Sequence, residues 1–466
     1  MIQLSFKSSL PLLAVTFLMF TACNNSGSNE KATNHSAHQP DSSSQAPVGY
    51  IYTTTNGEGE NQVVGFERYA DGNLGNEKVY GTQSNGGSKS TDPVFGDYDY
   101  QGSIQIIDNY LLTVNTGGNT VSVFDLNKKD GSLKWKSNFD SKGQRPVSIG
   151  YTKVAGSETE YWVTVANQWG IPTALYEGEK FVRLPNDAFF KQDLAKPDAS
   201  DEVRNVQLYK FDTKTGTVTY SGLVDKYTRK WGGPVQVAFS PDGKKIAVTL
   251  WGIPHFLTEH PILKETQPSR VYVYDFVDGK AINPRYFEED GVIGAVGFNW
   301  GNDNSTLFVS YFNLIDTKTD HGLVVLRDDN KKLIKQSNHT TSATGDVDEA
   351  CWTAMNADKS MLYVVSFYSN VITPFKIENN KVVKTLPYEG VKKDNPVNDL
   401  KDVYVAPDNK MLYCIGALNS YSIKHFMIAA DGSLKFHDEK VLDITKSALG
   451  KPGVYDLCGL AGYDVQ

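Results

Sequence analysis

The sequence is dominated by a short unit of strands and tight turns that recurs along the chain. Its clearest copy runs Val235-Gln-Val-Ala-Phe-Ser-Pro-Asp-Gly-Lys-Lys-Ile-Ala-Val-Thr-Leu250. Two apolar runs flank a Ser-Pro-Asp-Gly turn, in which Pro and Gly occupy the positions that a tight turn favours. A third strand-like run follows at Arg270 to Phe276, and similar units recur about every 45 to 60 residues, with one longer gap. No long stretch after Gly49 has a helical period, so the pattern predicts an all-β chain.

Strand-like runs of each of the three kinds occur seven times along the chain. The N-terminal unit lacks a first strand, whereas the segment that begins near Leu457 supplies a spare one. If this last strand completes the first blade, the ring has no open sheet edge. The repeat length is typical of propellers rather than of solenoids with shorter periods. The sequence therefore predicts an all-β fold, a single seven-bladed β-propeller over residues 48–466 whose first blade is closed by the C-terminal strand.

Composition and charge limit the kinds of partner that such a protein can bind. Of 466 residues, 40% are hydrophobic and 12% are aromatic, which is enough to bury a sizeable core. The 46 basic and 54 acidic side chains give a formal net charge of -8, so no basic field attracts a phosphate backbone. We expect a monomeric protein with no nucleic-acid partner.

The N-terminus has the pattern of an export signal. Lys7 precedes an apolar run from Leu10 to Phe20, and Thr21-Ala22-Cys23 follows directly. The run is too short to span a bilayer, and small residues before a cysteine are what a lipoprotein signal peptidase requires. The segment resembles a bacterial lipobox, although Phe20 stands where Leu is usual. The alternative is ordinary secretion, in which Cys23 carries no lipid.

This pattern predicts how the chain is attached and where it resides. We expect a lipoprotein signal peptide over residues 1–22 and a lipid on Cys23. Residues 23–47 are polar, with almost nothing to bury, and form a flexible tether. The protein would then contact a membrane through its lipid anchor alone, in the bacterial cell envelope on the periplasmic side or the cell surface.

Three cysteines follow the tether, at Cys351, Cys414 and Cys458. Each lies in an apolar, strand-like run, and at most one disulfide can form among three. We therefore expect buried free thiols.

Several further motifs carry a family resemblance. They are Val114-Asn115 with Gly118-Asn-Thr-Val-Ser-Val-Phe124, Asp130-Gly-Ser-Leu133, Arg145-Pro-Val-Ser-Ile149, Ala350-Cys-Trp352, Ala429-Ala-Asp-Gly-Ser-Leu434 and Gly459-Leu-Ala461. Together they resemble the lactonase-type seven-bladed propellers, the family of 6-phosphogluconolactonase and the fungal carboxymuconate lactonising enzyme, and a secreted branch of it. The resemblance implies a hydrolase or cyclase that acts on a lactone or a sugar-acid type substrate.

One segment departs from the active members of that family. Those typically carry a His-rich segment just before the fourth inner strand, where this chain has Trp231-Gly-Gly-Pro-Val-Gln236. The resemblance therefore supplies no catalytic histidine. Lactone hydrolysis would require another general base, such as a carboxylate with a raised pKa.

Two long insertions indicate where a ligand binds. They follow second strands on one face of the predicted ring and start alike, Trp169-Gly-Ile-Pro172 and Trp251-Gly-Ile-Pro254. Long loops on a rigid scaffold are common sites of binding, and an indole face stacks on a sugar or an aromatic ligand. The alternative is a duplicated turn whose tryptophan packs against its own loop. The predicted ligand-binding residues on this face are Trp169, Trp251, Trp231, His255 and Asp348.

Polar residues that precede inner strands would lie at the mouth of the central channel. Arg145 and Glu349 are the candidate catalytic residues, because an arginine facing a carboxylate suits an anionic ligand or a carboxylate base. The alternative is that Arg145 bonds loop carbonyls and that the acidic cluster is a solvated turn. Neither Gly345-Asp-Val-Asp-Glu349 nor His255-Phe-Leu-Thr-Glu-His260 has the spacing of a calcium or zinc site. We expect no metal and no cofactor.

Three functions remain compatible with the sequence. The first is a lactonase-like hydrolase or cyclase outside the cytoplasm. The second is a non-catalytic propeller that binds a carbohydrate, an aromatic ligand or a protein partner. The third is a scaffold that docks other envelope proteins.

Overall fold

The computed structural model consists mainly of β-strands joined by turns. It describes residues 45–90, 100–168, 174–177, 180–183, 204–228, 231–252, 268–290, 292, 294–312, 322–341, 349–367, 369–391, 399–451 and 453–465. For residues 174–177 and 180–183 the description covers the backbone alone. The predicted signal peptide and nearly all of the predicted tether lie outside these residues.

Seven antiparallel sheets, the blades, form a ring within the described residues. From blade one to blade seven, the inner strands are β31 (Cys458–Asp464), β4 (Ile104–Ile107), β8 (Pro146–Lys153), β14 (Pro234–Phe239), β18 (Ala295–Trp300), β22 (Ala350–Met355) and β27 (Leu400–Val405). The second strands are β1 (Gly49–Thr54), β5 (Tyr110–Asn115), β9 (Glu160–Asn167), β15 (Lys245–Leu250), β19 (Thr306–Tyr311), β23 (Met361–Ser366) and β28 (Met411–Gly416).

The outer half of each blade completes the sheet. Third strands are β2 (Glu60–Arg68), β6 (Thr120–Asn127), β12 (Asn205–Asp212), β16 (Arg270–Val277), β20 (Leu323–Asp328), β24 (Val371–Glu378) and β29 (Ser422–Ile428). Outermost strands are β3 (Leu74–Asn85), β7 (Ser132–Asp140), β13 (Thr217–Lys226), β17 (Lys280–Phe287), β21 (Leu333–His339), β25 (Lys381–Thr385) and β30 (Leu434–Val441). Three short elements lie outside this pattern: the hairpin of β10 (Ala174–Glu177) and β11 (Lys180–Arg183), β26 (Glu389–Gly390) beside β24, and a 3₁₀-helix at Asp443–Ala448.

The predicted seven-bladed propeller is confirmed. The second strands at Lys245–Leu250 and Thr306–Tyr311 have the predicted bounds, and nearly every residue in them is buried. The fifth inner strand begins at Ala295 rather than near Val292. Gly294, with a φ of 73°, turns the backbone immediately before it, so the strand cannot begin earlier.

The ring is closed as predicted, by pairing of the last strand with the second strand of blade one. β31 pairs antiparallel with β1, from Gly49 opposite Asp464 to Thr54 opposite Cys458. Arg68 of β2 is buried and forms ion pairs with Asp464 and Asp408, so it joins the closing strand to the turn of blade seven. The pairing leaves blade one with the same four strands as its neighbours.

A β-bulge recurs near the start of the inner strands. In blades three to seven the pairing between inner and second strand shifts register within the first four residues, as between Pro234 and Val237 or between Leu400 and Val403. Hydroxyls of the second strand bond the freed backbone: Gln236 N–H donates to Thr249 Oγ1 at 3.1 Å, and Gly297 N–H donates to Ser310 Oγ at 3.1 Å. Such bulges redirect side chains, here toward the channel axis.

The hydrophobic core lies between neighbouring blades rather than within one blade. One cluster joins blades two and three around Ile149 and Val163, and another joins blades six and seven around Tyr363 and Leu412. The predicted free thiols are confirmed, because Cys351, Cys414 and Cys458 are all buried and form no disulfide. Burial raises the pKa of the Cys458 thiol to about 12, so this sulfur is unreactive at neutral pH.

The closing contact gives a first prediction. Arg68→Met removes the charged hydrogen bonds to Asp464 and Asp408, and we expect it to lower the free energy of unfolding by about 2 kcal/mol. Urea unfolding followed by tryptophan fluorescence measures the change. The control is Lys376→Met, which removes an exposed pair with Glu378 and should cause no measurable loss. Equal urea midpoints for the two variants would show that the closure of the ring does not depend on Arg68.

Candidate functional site

The central channel is filled near one end by a tyrosine that reaches several blades. Tyr100 precedes β4 and is 1% exposed. Its carbonyl accepts a hydrogen bond from the indole N–H of Trp352 in blade six, and its hydroxyl accepts one from the Asn56 amide in blade one. Val147 of blade three and Cys458 of blade one pack with it. Side chains from opposite sides of the ring thus converge on Tyr100.

The next residue extends this filling across the axis. Gln101 bonds the backbone of Thr353 twice, as its Nε2 donates to Thr353 O at 3.2 Å and its Oε1 accepts from Thr353 N–H at 3.0 Å. Its own carbonyl accepts from Ser148 Oγ at 2.6 Å. Because both ends of the amide are used, the side chain has one favoured orientation. We call Tyr100 and Gln101 the axial plug.

A buried carboxyl group lies directly beside the plug. Asp402 of β27 accepts the backbone N–H of Val403 at 2.9 Å, and Gln101 Nε2 lies 3.4 Å from its Oδ1. The backbone N–H groups of Gly102 and Leu460 also donate to it, so it links blades seven, two and one. Complete burial raises the pKa of Asp402 from 3.8 to about 7, against the opposing effect of these hydrogen bonds.

The adjacent residue in the same strand is a buried lysine. Lys401 Nζ lies 2.9 Å from Asp456 Oδ1, and both side chains are at most 2% exposed. The ammonium group also lies 5.8 Å from the ring centroids of Trp352 and Phe367 and 6.0 Å from that of Tyr100. Buried ion pairs are costly to form and are frequently found at functional sites, so this pair marks the channel mouth as a candidate site.

Both predicted catalytic residues precede inner strands, as expected, and share an unusual backbone conformation. Arg145 has a φ of 57° and Glu349 a φ of 52°, in the left-handed region. Each carbonyl accepts the N–H of the residue that follows the second strand of its blade, Gln168 and Phe367 respectively, at 2.9 Å. Strained backbone at non-glycine residues concentrates at functional sites. Their catalytic roles remain predictions.

All these groups lie at one end of the channel. The inner strands run in the same direction along the axis, so the residues that precede them meet at the same end, which we call the channel mouth. It is defined by Arg145, Glu349, Lys401 and Asp456 around the axial plug. Phe367 connects two of these groups, since its N–H bonds Glu349 O and its ring lies near Lys401. Both residues of the axial plug are buried, so they fill the axis beside the mouth.

Two of the predicted ligand-binding tryptophans are packed against other side chains. Trp251 is 7% exposed, and its ring meets Phe312 edge-on with centroids 4.9 Å apart. Its ring therefore packs against a residue of the next blade, whereas the loop of the alternative prediction, which follows Gly252, lies outside the described residues. Trp231 is half-buried, with the Arg270 guanidinium 3.4 Å from its ring centroid. Ligand binding by either residue remains a prediction.

Other predicted site residues lie outside the described residues. They are Trp169, His255, Asp348 and the lipidation residue Cys23. Within the described residues, no group of three or more His, Cys, Asp or Glu side chains has an arrangement that could hold a metal ion. The described residues also contain no helix long and apolar enough to cross a membrane.

Sequence reasoning missed Tyr100, Lys401, Asp402 and Asp456. One signal was present for two of them: Leu400-Lys-Asp-Val-Tyr-Val405 places adjacent opposite charges inside a buried strand. Lys and Asp are almost never fully buried without a partner, so adjacent charges in an apolar strand indicate a buried, paired site. For Tyr100 no comparable signal exists, because its partners are distant along the chain.

The structure defines the class of the protein as a closed seven-bladed β-propeller with a filled axis and a charged channel mouth. This is the fold of lactonase-type propellers, and the predicted resemblance is confirmed at that level. No family model and no curated protein matches the chain.

Three solved structures illustrate the likeness. The periplasmic gluconolactonase PpgL of Pseudomonas aeruginosa is 14% identical with a TM-score of 0.57, over 88% of this chain and 99% of that chain. A Bacteroides fragilis protein assigned by name to the 6-phosphogluconolactonases is 12% identical with a TM-score of 0.55, over 90% and 100%. A Bacteroides uniformis protein with the same assignment is 12% identical with a TM-score of 0.52, over 89% and 98%. At these identities the likeness concerns the fold.

Asp402 gives a prediction about pH. The pKa of Asp402 is higher in the folded chain than in the unfolded chain, so the folded state binds the proton more tightly. The free energy of unfolding therefore decreases as the pH rises from the unfolded pKa to the folded pKa. From pH 5 to pH 8 this group should lower the free energy of unfolding by roughly 2 to 3 kcal/mol.

Urea unfolding at a series of pH values measures this effect. Asp402→Asn cannot ionise, so the difference in stability between wild type and variant should change with pH by that amount. Asp278→Asn, at the exposed turn between β16 and β17, is the control. Parallel stability curves for wild type and Asp402→Asn would contradict the assignment.

Proposed function

We propose that the protein is a lactone hydrolase whose active site is the channel mouth. The observation that carries the proposal is that charged residues of blades one, three, six and seven lie at the same end of the inner strands, with the buried Lys401–Asp456 pair among them. Catalytic sites combine a base, an electrostatic stabiliser and a concave, partly dry space. The channel mouth supplies the carboxylate of Glu349, the cationic groups of Arg145 and Lys401, and aromatic rings near Lys401.

The proposed chemistry uses the residues of this chain alone. The Glu349 carboxylate takes a proton from water, whose oxygen then bonds the lactone carbonyl carbon. Arg145 stabilises the negative charge that develops on the carbonyl oxygen. Collapse breaks the bond between that carbon and the ring oxygen, and the leaving oxygen receives the proton from Glu349, which yields the hydroxy acid. Lys401 and Asp456 keep the neighbouring wall charged and ordered.

The comparisons support the same class of substrate. The similar structures are named as a gluconolactonase and 6-phosphogluconolactonases, although at low identity. We propose a sugar-acid lactone as substrate. The alternative function is a non-catalytic propeller that binds a carbohydrate, an aromatic ligand or a protein partner.

Hydrolysis of aldonolactones tests the proposal. We expect turnover of glucono-1,5-lactone, galactono-1,4-lactone or 6-phosphogluconolactone above the spontaneous rate, measured in a pH-stat. Glu349→Gln should lower kcat at least about 100-fold, because it removes the base but keeps the shape. Arg145→Met should lower kcat/KM for the same substrate.

Matched controls separate chemistry from folding. Glu378→Gln and Arg327→Met change the same residue types at exposed positions of outer strands and should keep full activity. Unfolding midpoints of all variants are measured in parallel. No turnover of any of the three lactones, or full activity in Glu349→Gln, would refute the lactonase proposal.

We also propose that the protein is exported and lipid-anchored through Cys23. One of the similar structures is named as periplasmic, which agrees with an extracytoplasmic location. Cys23→Ser should abolish incorporation of labelled palmitate and move the protein from the membrane fraction to the soluble fraction. Cys458→Ser, at a buried thiol, should leave labelling unchanged. Unaltered labelling of Cys23→Ser would instead indicate ordinary secretion.

A further inference from the structure

We propose that the rim of blade four carries a second binding site, separate from the channel mouth, which takes a neutral sugar ring of an oligosaccharide. The site consists of Trp231, Arg270, Tyr286 and Glu288, which we call the rim stack. It does not depend on the lactonase proposal, because none of its residues belongs to the channel mouth.

The rim stack lies where two insertions leave the propeller. Gly232 and Gly233 lie against the last described residues before each insertion, since a Cβ at Gly232 would meet the carbonyl of Gly252 and one at Gly233 that of Gln168. Gly252 N–H also donates to Trp231 O at 3.0 Å. Trp231 directly precedes Gly232 in the chain, so it lies beside the starts of both insertions.

An arginine connects the aromatic residues of the stack. The Arg270 guanidinium carbon lies 3.4 Å from the ring centroid of Trp231 and 4.1 Å from that of Tyr286. Its Nε donates to Glu288 at 2.7 Å, and one terminal nitrogen donates to the Tyr272 hydroxyl at 2.8 Å. The rings of Trp231 and Tyr286 therefore pack against the Arg270 guanidinium, whose orientation is fixed by its own hydrogen bonds.

The stack remains accessible although its parts are fixed. Tyr286 is 44% exposed and the Glu288 side chain is 35% exposed. A ligand therefore reaches an aromatic ring and a carboxylate side by side without displacing protein groups. A preorganised aromatic surface loses little conformational entropy when it binds.

The charges of the stack indicate the class of ligand. Arg270 and Glu288 neutralise each other, so the site offers donors and acceptors without a net charge. The whole chain carries a formal net charge of -8, which disfavours an anionic polymer. An aromatic face beside paired donors and acceptors matches the C–H face and hydroxyls of a neutral sugar ring.

Binding of four neutral oligosaccharides tests this inference. Cellohexaose, xylohexaose, maltoheptaose and N-acetylchitohexaose are titrated into the purified protein, and calorimetry and Trp fluorescence report binding. We expect saturable binding of at least one of them. Tyr286→Ala should raise its Kd about tenfold or more, because the exposed ring contributes stacking area.

The chain offers a matched control. Tyr220 on the outermost strand of blade three is 49% exposed, and Tyr220→Ala should leave the Kd unchanged. Unfolding midpoints confirm that both variants are folded. The absence of saturable binding by all four oligosaccharides overturns the inference, as does an equal Kd for Tyr286→Ala and wild type. Binding that Tyr220→Ala weakens as much as Tyr286→Ala also overturns it, and would assign the exposed outer strands to a broader docking surface.

Discussion

The blades share no strand pairing with one another in the described part of the chain, so the ring depends on contacts between separate sheets. Apolar packing supplies most of these contacts but is not directional. One group of directional contacts lies at the axis, where Gln101 bonds Thr353 of blade six and Asp402 accepts N–H groups from blades one, two and seven. Others join neighbouring blades farther out, such as the ion pairs of Asp328 in blade five with Lys245 and Arg285 of blade four. The bonds at the axis hold the inner strands of several blades together beside the channel mouth.

The same arrangement explains why charge accumulates at this end. A filled axis excludes water beneath the mouth, so a charge there requires a fixed partner. Lys401 forms an ion pair with Asp456. The register shift in β27 directs the two consecutive side chains to different neighbours, so Lys401 lies at the channel mouth and Asp402 lies beside the axial plug. The fold thus places buried titratable groups, Lys401, Asp402 and Asp456, beside the axial plug at this end of the ring. The rim stack is a separate group of residues on blade four.

Much of the fold was predictable because it depends on local patterns. Alternation, turn residues and the spare strand near Leu457 determined the blades and their closure, and the apolar surroundings of Cys351 predicted a buried thiol. The plug was not predictable, because the partners of Tyr100 and Gln101 are some 252 residues away in sequence. Trp251 shows the converse problem: its sequence motif suggested exposure, whereas Phe312 of the next blade covers its ring. Positions in the chain that meet at the axis are determined by ring geometry rather than by neighbouring residues.

The closure of blade one also constrains how the chain is assembled. Its second strand begins at Gly49, whereas its inner strand begins at Cys458, so the two halves of one sheet lie at opposite ends of the sequence. During synthesis, six blades can form from contiguous segments, but the first sheet stays incomplete until the C-terminal residues arrive. Completion of the ring is therefore a late event with high contact order, and a chain that is cut short leaves an unpaired strand available to other molecules. Only full-length molecules can bury that edge.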